Sequence, residues 1–153
     1  MSVVFGPVSS RRFGRSLGVD LSPQQKCCNF DCVYCELSAS KPKGEIVNPP
    51  SVAEILTQVK TALKTHQNID VITLTANGEP TLYPNLRDLI EALNSVKSAA
   101  KTLILSNGTG VVKPKIFEAL KRLDIVKFSL DSATQKTFRK IDRGGGEILV
   151  GEI

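Results

Sequence analysis

All four cysteines of the chain lie between Cys27 and Cys35, in the run Cys27-Cys28-Asn29-Phe30-Asp31-Cys32-Val33-Tyr34-Cys35. Two spacings can be read from it: C-x3-C-x2-C starting at Cys28, or C-x4-C-x2-C starting at Cys27. Thiolates are soft ligands that suit iron–sulfur clusters or zinc. A cubane cluster usually takes four cysteines, so a compact set of three leaves one iron open to a substrate or cofactor. Structural zinc calls for four ligands, commonly from two separated pairs. No second pair exists here, and the single histidine, His66, falls at a polar helix end. The spacing therefore favours a three-cysteine cluster that includes Cys32 and Cys35, with either Cys28 or Cys27 as its first ligand. Zinc, with Cys27 as fourth ligand, stands as the alternative.

Three other polar sets could do chemistry. They are Asn77-Gly78-Glu79-Pro80, Ser106-Asn107-Gly108, and the pair Ser129 and Asp131. Each also has a plain local reading. Gly-x-Pro and Asn-Gly are turn signals, and Asp131 is placed to cap a following helix.

The elements between these sets give them a common address. Leu17 to Leu21 reads as a first strand, followed by a long loop that carries the cysteines and ends in Pro42, Pro49 and Pro50. Ser51, with Glu54 three residues on, has the form of a capping box. Val52, Ile55, Leu56, Val59 and Leu63 then repeat at helical spacing. Ile69 to Leu74 is a second strand. Asn85 opens a second helix with Leu86, Leu89, Ile90, Leu93 and Val96 on one face. Thr102 to Leu105 is a third strand. Pro114 sits where a helix tolerates it, at the first position, and Ile116, Leu120 and Leu123 line that helix. Ile125 to Leu130 is a fourth strand, and a fourth helix starting near Ser132 carries Phe138 and Ile141. Alternating strands and helices imply a parallel sheet with right-handed crossovers. In such folds chemistry gathers beyond the C-terminal ends of the strands, and all four polar sets fall there. The expected fold is α/β, a partial (β/α) barrel with parallel strands and about four strand–helix units in a single domain over 1–153. Residues 143–153 are expected to form a loose tail.

Composition bounds the class. The chain has 153 residues, 41% hydrophobic and 23% charged, with a net charge of +5. That supplies a real core. The charge excess, with Arg11, Arg12 and Arg15 crowded near the N-terminus, reads first as solvated surface and is compatible with an anionic partner such as nucleic acid. No stretch approaches the roughly 18 apolar residues of a membrane span, and Met1 to Ser10 does not read as a signal peptide. A cytoplasmic protein with no membrane partner is expected. Disulfides are rare there, which again turns the cysteines toward metal.

The C-x3-C-x2-C run with an aromatic before its last cysteine resembles the radical S-adenosylmethionine superfamily. The opening from Phe5 to Cys35, FGPVSSRRFGRSLGVDLSPQQKCCNFDCVYC, is similar to a branch related to wyosine synthesis in tRNA. The likeness runs from about Phe5 to Arg139. It implies that Cys28, Cys32 and Cys35 hold a [4Fe–4S] cluster and that S-adenosyl-L-methionine binds the remaining iron. It places Tyr34 near the adenine. Gly78 and Glu79 match a Gly-Gly-Glu stretch that holds the amino group, with Asn77 in place of the first glycine. Ser106 and Asn107 match a ribose-binding position, and Ser129 and Asp131 match polar residues that contact ribose or carboxylate. The implied activity is reductive cleavage of S-adenosylmethionine to a 5′-deoxyadenosyl radical. Catalytic residues beyond the cofactor site are not specified. The implied partners are an electron donor of the flavodoxin or ferredoxin type and an RNA substrate. Family barrels typically have six units, so the four read here represent a truncated barrel. A non-catalytic iron–sulfur or zinc-binding module is the alternative function.

Overall fold

The computed structural model describes residues 2–146 and 148–153; Met1, and Glu147 of the expected tail, lie outside the described residues. Among the described residues five strands and four α-helices follow in the order β1 (Val4–Ser10), β2 (Gly14–Asp20), α1 (Val52–Thr65), β3 (Val71–Thr75), α2 (Leu86–Val96), β4 (Lys101–Ser106), α3 (Pro114–Leu120), β5 (Ile125–Phe128) and α4 (Gln135–Ile141). The strands form one sheet in sequence order, β1-β2-β3-β4-β5. β1 is antiparallel to β2, and the other three pairings are parallel. This is the α/β, partial-barrel architecture expected from the sequence, with one strand more.

The extra strand is β1. Its Gly6-Pro7 pair is a poor sequence signal for a strand, because proline cannot donate to a ladder and glycine weakens an interior. Both are tolerated because β1 is an edge, and its register with β2 shifts between Phe5 and Val8. Gln58 of α1 binds this end of the chain, its Oε1 accepting from Val3 N at 2.9 Å.

The helices form for the reasons their sequences suggest. Ser51 caps α1, its Oγ accepting from Glu54 N at 3.2 Å. Leu86, Leu89, Ile90 and Leu93 of α2 are all buried, the i, i+3, i+4, i+7 stripe of a core-facing helix. Pro114 is at the start of α3. The fourth helix begins later than expected: Thr134 is its N-cap, with Oγ1 accepting from Thr137 N, and Ser132 and Asp131 lie outside it.

Register decides which side of the sheet becomes core. Leu17 pairs with Ile72, and Val19 with Leu74, which pairs in turn with Ile104. All five side chains join Ile55, Val59, Leu89, Ile90 and Leu93 in one buried cluster. Burying one such side chain stabilises by about 1.5–3 kcal/mol. The alternate positions face the other way, since side chains swap faces at each residue. There Ser16 Oγ and Thr73 Oγ1 share a 2.7 Å hydrogen bond, Phe5 lies over Gly18, and Leu105 is exposed. Among the described residues no helix is long and apolar enough to cross a membrane.

Candidate functional site

The parallel strands deliver four loops to one rim. The loop after β2 runs with little regular structure to Ser51 and carries the cysteines. Its docking to the rim is specific. Cys27 forms a parallel bridge with Gly78, with Cys27 N donating to Asn77 O at 2.8 Å and Glu79 N donating to Cys27 O at 2.9 Å. Gly78 permits this approach. Its φ is +141°, and a Cβ at this position would collide with Cys27 O. Only glycine adopts such a backbone without strain. Asn77, which replaces a glycine in the family's stretch, is held by Asp20: its Nδ2 donates to Asp20 Oδ2 at 2.9 Å and to Ser22 O at 3.2 Å.

The side chain of Cys27 belongs to the apolar core and is fully buried. Cys28, Cys32 and Cys35 instead line a cleft of about 260 Å³, together with Tyr34, Gly78, Glu79, Ser106, Asn107 and Ser129. Asp131 is exposed and reaches this group through Tyr34, whose hydroxyl donates to its carboxylate. The sequence-predicted residues thus meet at one place, although their strand ends are far apart in the chain. A larger groove, of about 450 Å³, lies beyond Asn29 and Thr109. It contains no cysteine, so the thiol chemistry belongs to the smaller cleft.

Glu79 organises the rim. It is 2% exposed. Its Oε1 accepts from Thr81 N at 2.9 Å, Thr81 Oγ1 at 2.6 Å and Ser106 Oγ at 2.7 Å, and its Oε2 accepts from Asn107 N at 2.7 Å. A buried carboxylate with this many donors is fully satisfied by the protein. Asn107 is similarly engaged: its Oδ1 accepts from Thr109 Oγ1 at 2.7 Å, and its Nδ2 donates to Asn29 Oδ1 at 2.8 Å. Asn29 lies between two cysteine ligand candidates, so this pair locks the cysteine loop to the end of β4. Ser129 accepts from Lys127 Nζ at 2.6 Å.

Burial favours the protonated form of Cys28 and Cys32. Burial pushes the Cys28 thiol up to about 11, with the nearby Glu79 and Cys32 adding to the shift against the Phe30 N–H that points at its sulfur. Burial also raises Cys32. Asp142, at the end of α4, is 3% exposed, and burial raises its carboxyl, with the charge of Asp131 contributing. Cys32 Sγ donates to Asp142 Oδ1 at 3.8 Å, and the Tyr34 hydroxyl lies 3.4 Å from the same oxygen. Burial raises Tyr34 as well.

The donor set fits a three-thiolate group in kind and number. Cys27 is sealed in the core, and His66 ends α1 at the opposite end of the sheet, so neither supplies a fourth ligand from where it stands. The three sulfurs stand apart from one another: among the described residues no three His, Cys, Asp or Glu side chains form a ready group for a metal ion. Metal binding would have to displace the thiol protons and gather the sulfurs, coupling the loop's conformation to the ligand.

Several contributors carried no sequence signal of their own. Asp142 reaches the cysteines from α4, and Phe138 of α4 stacks edge-on against Phe30 with ring centroids 5.1 Å apart. Only tertiary structure brings these to the loop. Asn29 could have been suspected from lying beside Cys28, and Thr109 from following the Ser106-Asn107-Gly108 set. Arg11, Arg12 and Arg15 sit at the β1–β2 turn, at the N-terminal end of β2, away from the rim.

Residues 23–148 match the radical SAM superfamily. The chain is 50% identical over 144 residues to a UPF0026 protein of Helicobacter pylori strain J99, covering 94% of this chain and 47% of that protein. It is 31% identical over 157 residues to a UPF0026 protein of Methanocaldococcus jannaschii, covering 100% and 48% respectively. A probable GTP 3′,8-cyclase of Thermoplasma volcanium is 32% identical over 116 residues, covering 74% and 33%. The chain spans about half the length of the UPF0026 relatives it matches. With its family signature spread across most of the sequence and its cysteines set in the rim of a partial (β/α) barrel, this chain belongs to the radical SAM superfamily.

Proposed function

We propose that the chain binds a [4Fe–4S] cluster through Cys28, Cys32 and Cys35 and takes S-adenosylmethionine into the same cleft. The observation that carries this reading is the sorting of the four cysteines: three line the cleft while Cys27 is sealed in the core. When bound, a cluster of this kind supplies one electron to the sulfonium, giving methionine and a 5′-deoxyadenosyl radical. The protein's residues orient the cofactor and exclude water and oxidants. Tyr34 lines the cleft and would contribute an aromatic face for adenine. Glu79, whose own oxygens are spent on Thr81, Ser106 and Asn107, acts by fixing the backbone of the Asn77–Glu79 turn beside the amino group. Ser106, Asn107, Ser129 and Asp131 serve the ribose and carboxylate side.

RNA is the proposed substrate class, with a flavodoxin or ferredoxin as electron donor in the cytoplasm. The charge of +5 supports an anionic substrate. Because the arginine cluster lies at the far end of a seven-residue strand, some ~20 Å from the rim, those arginines would touch RNA away from the reacting nucleotide. The test is anaerobic reconstitution with iron and sulfide, then addition of dithionite and S-adenosylmethionine. Formation of 5′-deoxyadenosine is expected. Zinc uptake without iron would favour the non-catalytic module instead.

A further inference from the structure

The cysteine loop is built around one nearly buried cation. Lys26 immediately precedes the cysteine run, and its side chain is 9% exposed. Its Nζ donates to Asp31 Oδ1 at 2.9 Å and to Ser38 O at 3.1 Å. The same Asp31 oxygen accepts from Ser40 N at 3.0 Å. A single ammonium therefore joins the residue before the cysteines, the middle of the run between Cys28 and Cys32, and the chain beyond Cys35. Lys26 also lines the cleft and lies within electrostatic reach of both Cys28 and Cys35. Other lysines near the rim are committed elsewhere: Lys127 to Ser129, and Lys43 to Gln25 at 3.0 Å.

Shelter from water penalises an ammonium, and the hydrogen bond and charge of Asp31 oppose that penalty. The same shelter strengthens its field on any charge gathered at the thiols. Three thiolates bring three negative charges to the site, and reduction of a bound cluster adds one more. A fixed positive charge at this distance stabilises the reduced form over the oxidised form, and net charge near a cluster is one of the levers that set its potential.

We propose that Lys26 is a positioning residue with two roles. It staples the cysteine loop through Asp31 and Ser38, and its positive charge raises the midpoint potential of the cluster bound there. This rests on the cluster reading above, and the experiment separates the two. Wild type, Lys26→Gln and Lys26→Arg are reconstituted anaerobically as full chains. Iron and sulfide are counted, and the midpoint is measured by dithionite titration followed by electron paramagnetic resonance. Gln keeps a donor for Asp31 but loses the charge, while Arg keeps both. The Arg variant is expected to retain iron and the wild-type midpoint. The Gln variant is expected to shift its one-electron reduction equilibrium about tenfold toward the oxidised form, a midpoint lower by about 59 mV. Iron lost from the Gln variant but kept by the Arg variant also supports the proposal. An unmoved midpoint in the Gln variant, equal shifts in both variants, or iron lost from both would overturn it. Absence of iron in wild type would overturn the cluster reading itself, and this proposal with it.

Discussion

The two sides of Asp20 are held by different physics. Before it, β2 runs into a sheet whose helix-facing residues, Leu17, Val19, Ile72, Leu74 and Ile104, are almost completely buried. After it, the cysteine loop has almost no regular structure and contributes only a few residues, Cys27, Phe30 and Ile46 among them, to the interior. The sheet side is stabilised by area, spread over many apolar side chains. The loop side is stabilised by a few directional contacts: the Cys27–Gly78 bridge, the Asn29–Asn107 pair, the Lys26–Asp31 staple and the Phe30–Phe138 stack. Area tolerates volume-conserving sequence change. Single contacts do not, and they can also be reorganised when a ligand arrives. A site that must gather three sulfurs onto a metal is better built in the second way.

The comparison can be broken in order of effect. Ile104→Ala empties a fully buried position and should cost about 2–5 kcal/mol of global stability. Urea unfolding followed by circular dichroism would measure it. A loss under about 1 kcal/mol, well below that range, would mean that the sheet side is not packed as described. Gly78→Ala should cost about 1–3 kcal/mol through backbone strain, and the loss should fall mainly on the loop. Hydrogen exchange at the amides of Cys27 and Glu79 should accelerate while that of the β3 and β4 amides changes much less. Uniform acceleration would contradict a separable loop.

A smaller effect tests the electrostatics of the loop. Burial disfavours the Cys28 thiolate, so below about pH 11 this thiol stays largely neutral. In metal-free, reduced protein its alkylation by iodoacetamide should keep rising with pH and level off only near pH 11, read by peptide mass mapping. A half-maximal rate near pH ~8.5, the value of an ordinary thiol, would show that the loop is open to water.

The sheet was legible because apolar periodicity is a local signal, repeated often enough to survive exceptions. The exception was β1, where Gly6-Pro7 hides a strand that an edge position permits. The start of α4 lies at Thr134 rather than Ser132 because Asp131, Ser132 and Thr134 all offer competing caps. The strand-end rule brought the polar sets to one rim, since it depends on topology alone. What each side chain does there was not legible. Glu79 reads as a ligand to a cofactor, yet its oxygens are consumed by Thr81, Ser106 and Asn107. Asp131 reads as a helix cap, yet it receives the Tyr34 hydroxyl. Asp142 reaches Cys32 from 110 residues away, a contact no spacing pattern encodes.

The central claim is that three of the four cysteines, and not Cys27, hold a cluster. The most direct measurement is iron and sulfide content after anaerobic reconstitution of four single variants: Cys27→Ala, Cys28→Ala, Cys32→Ala and Cys35→Ala. The account predicts that Cys27→Ala retains the wild-type content while each of the other three loses it. Loss in Cys27→Ala with retention in Cys28→Ala, or zinc in place of iron throughout, would contradict it.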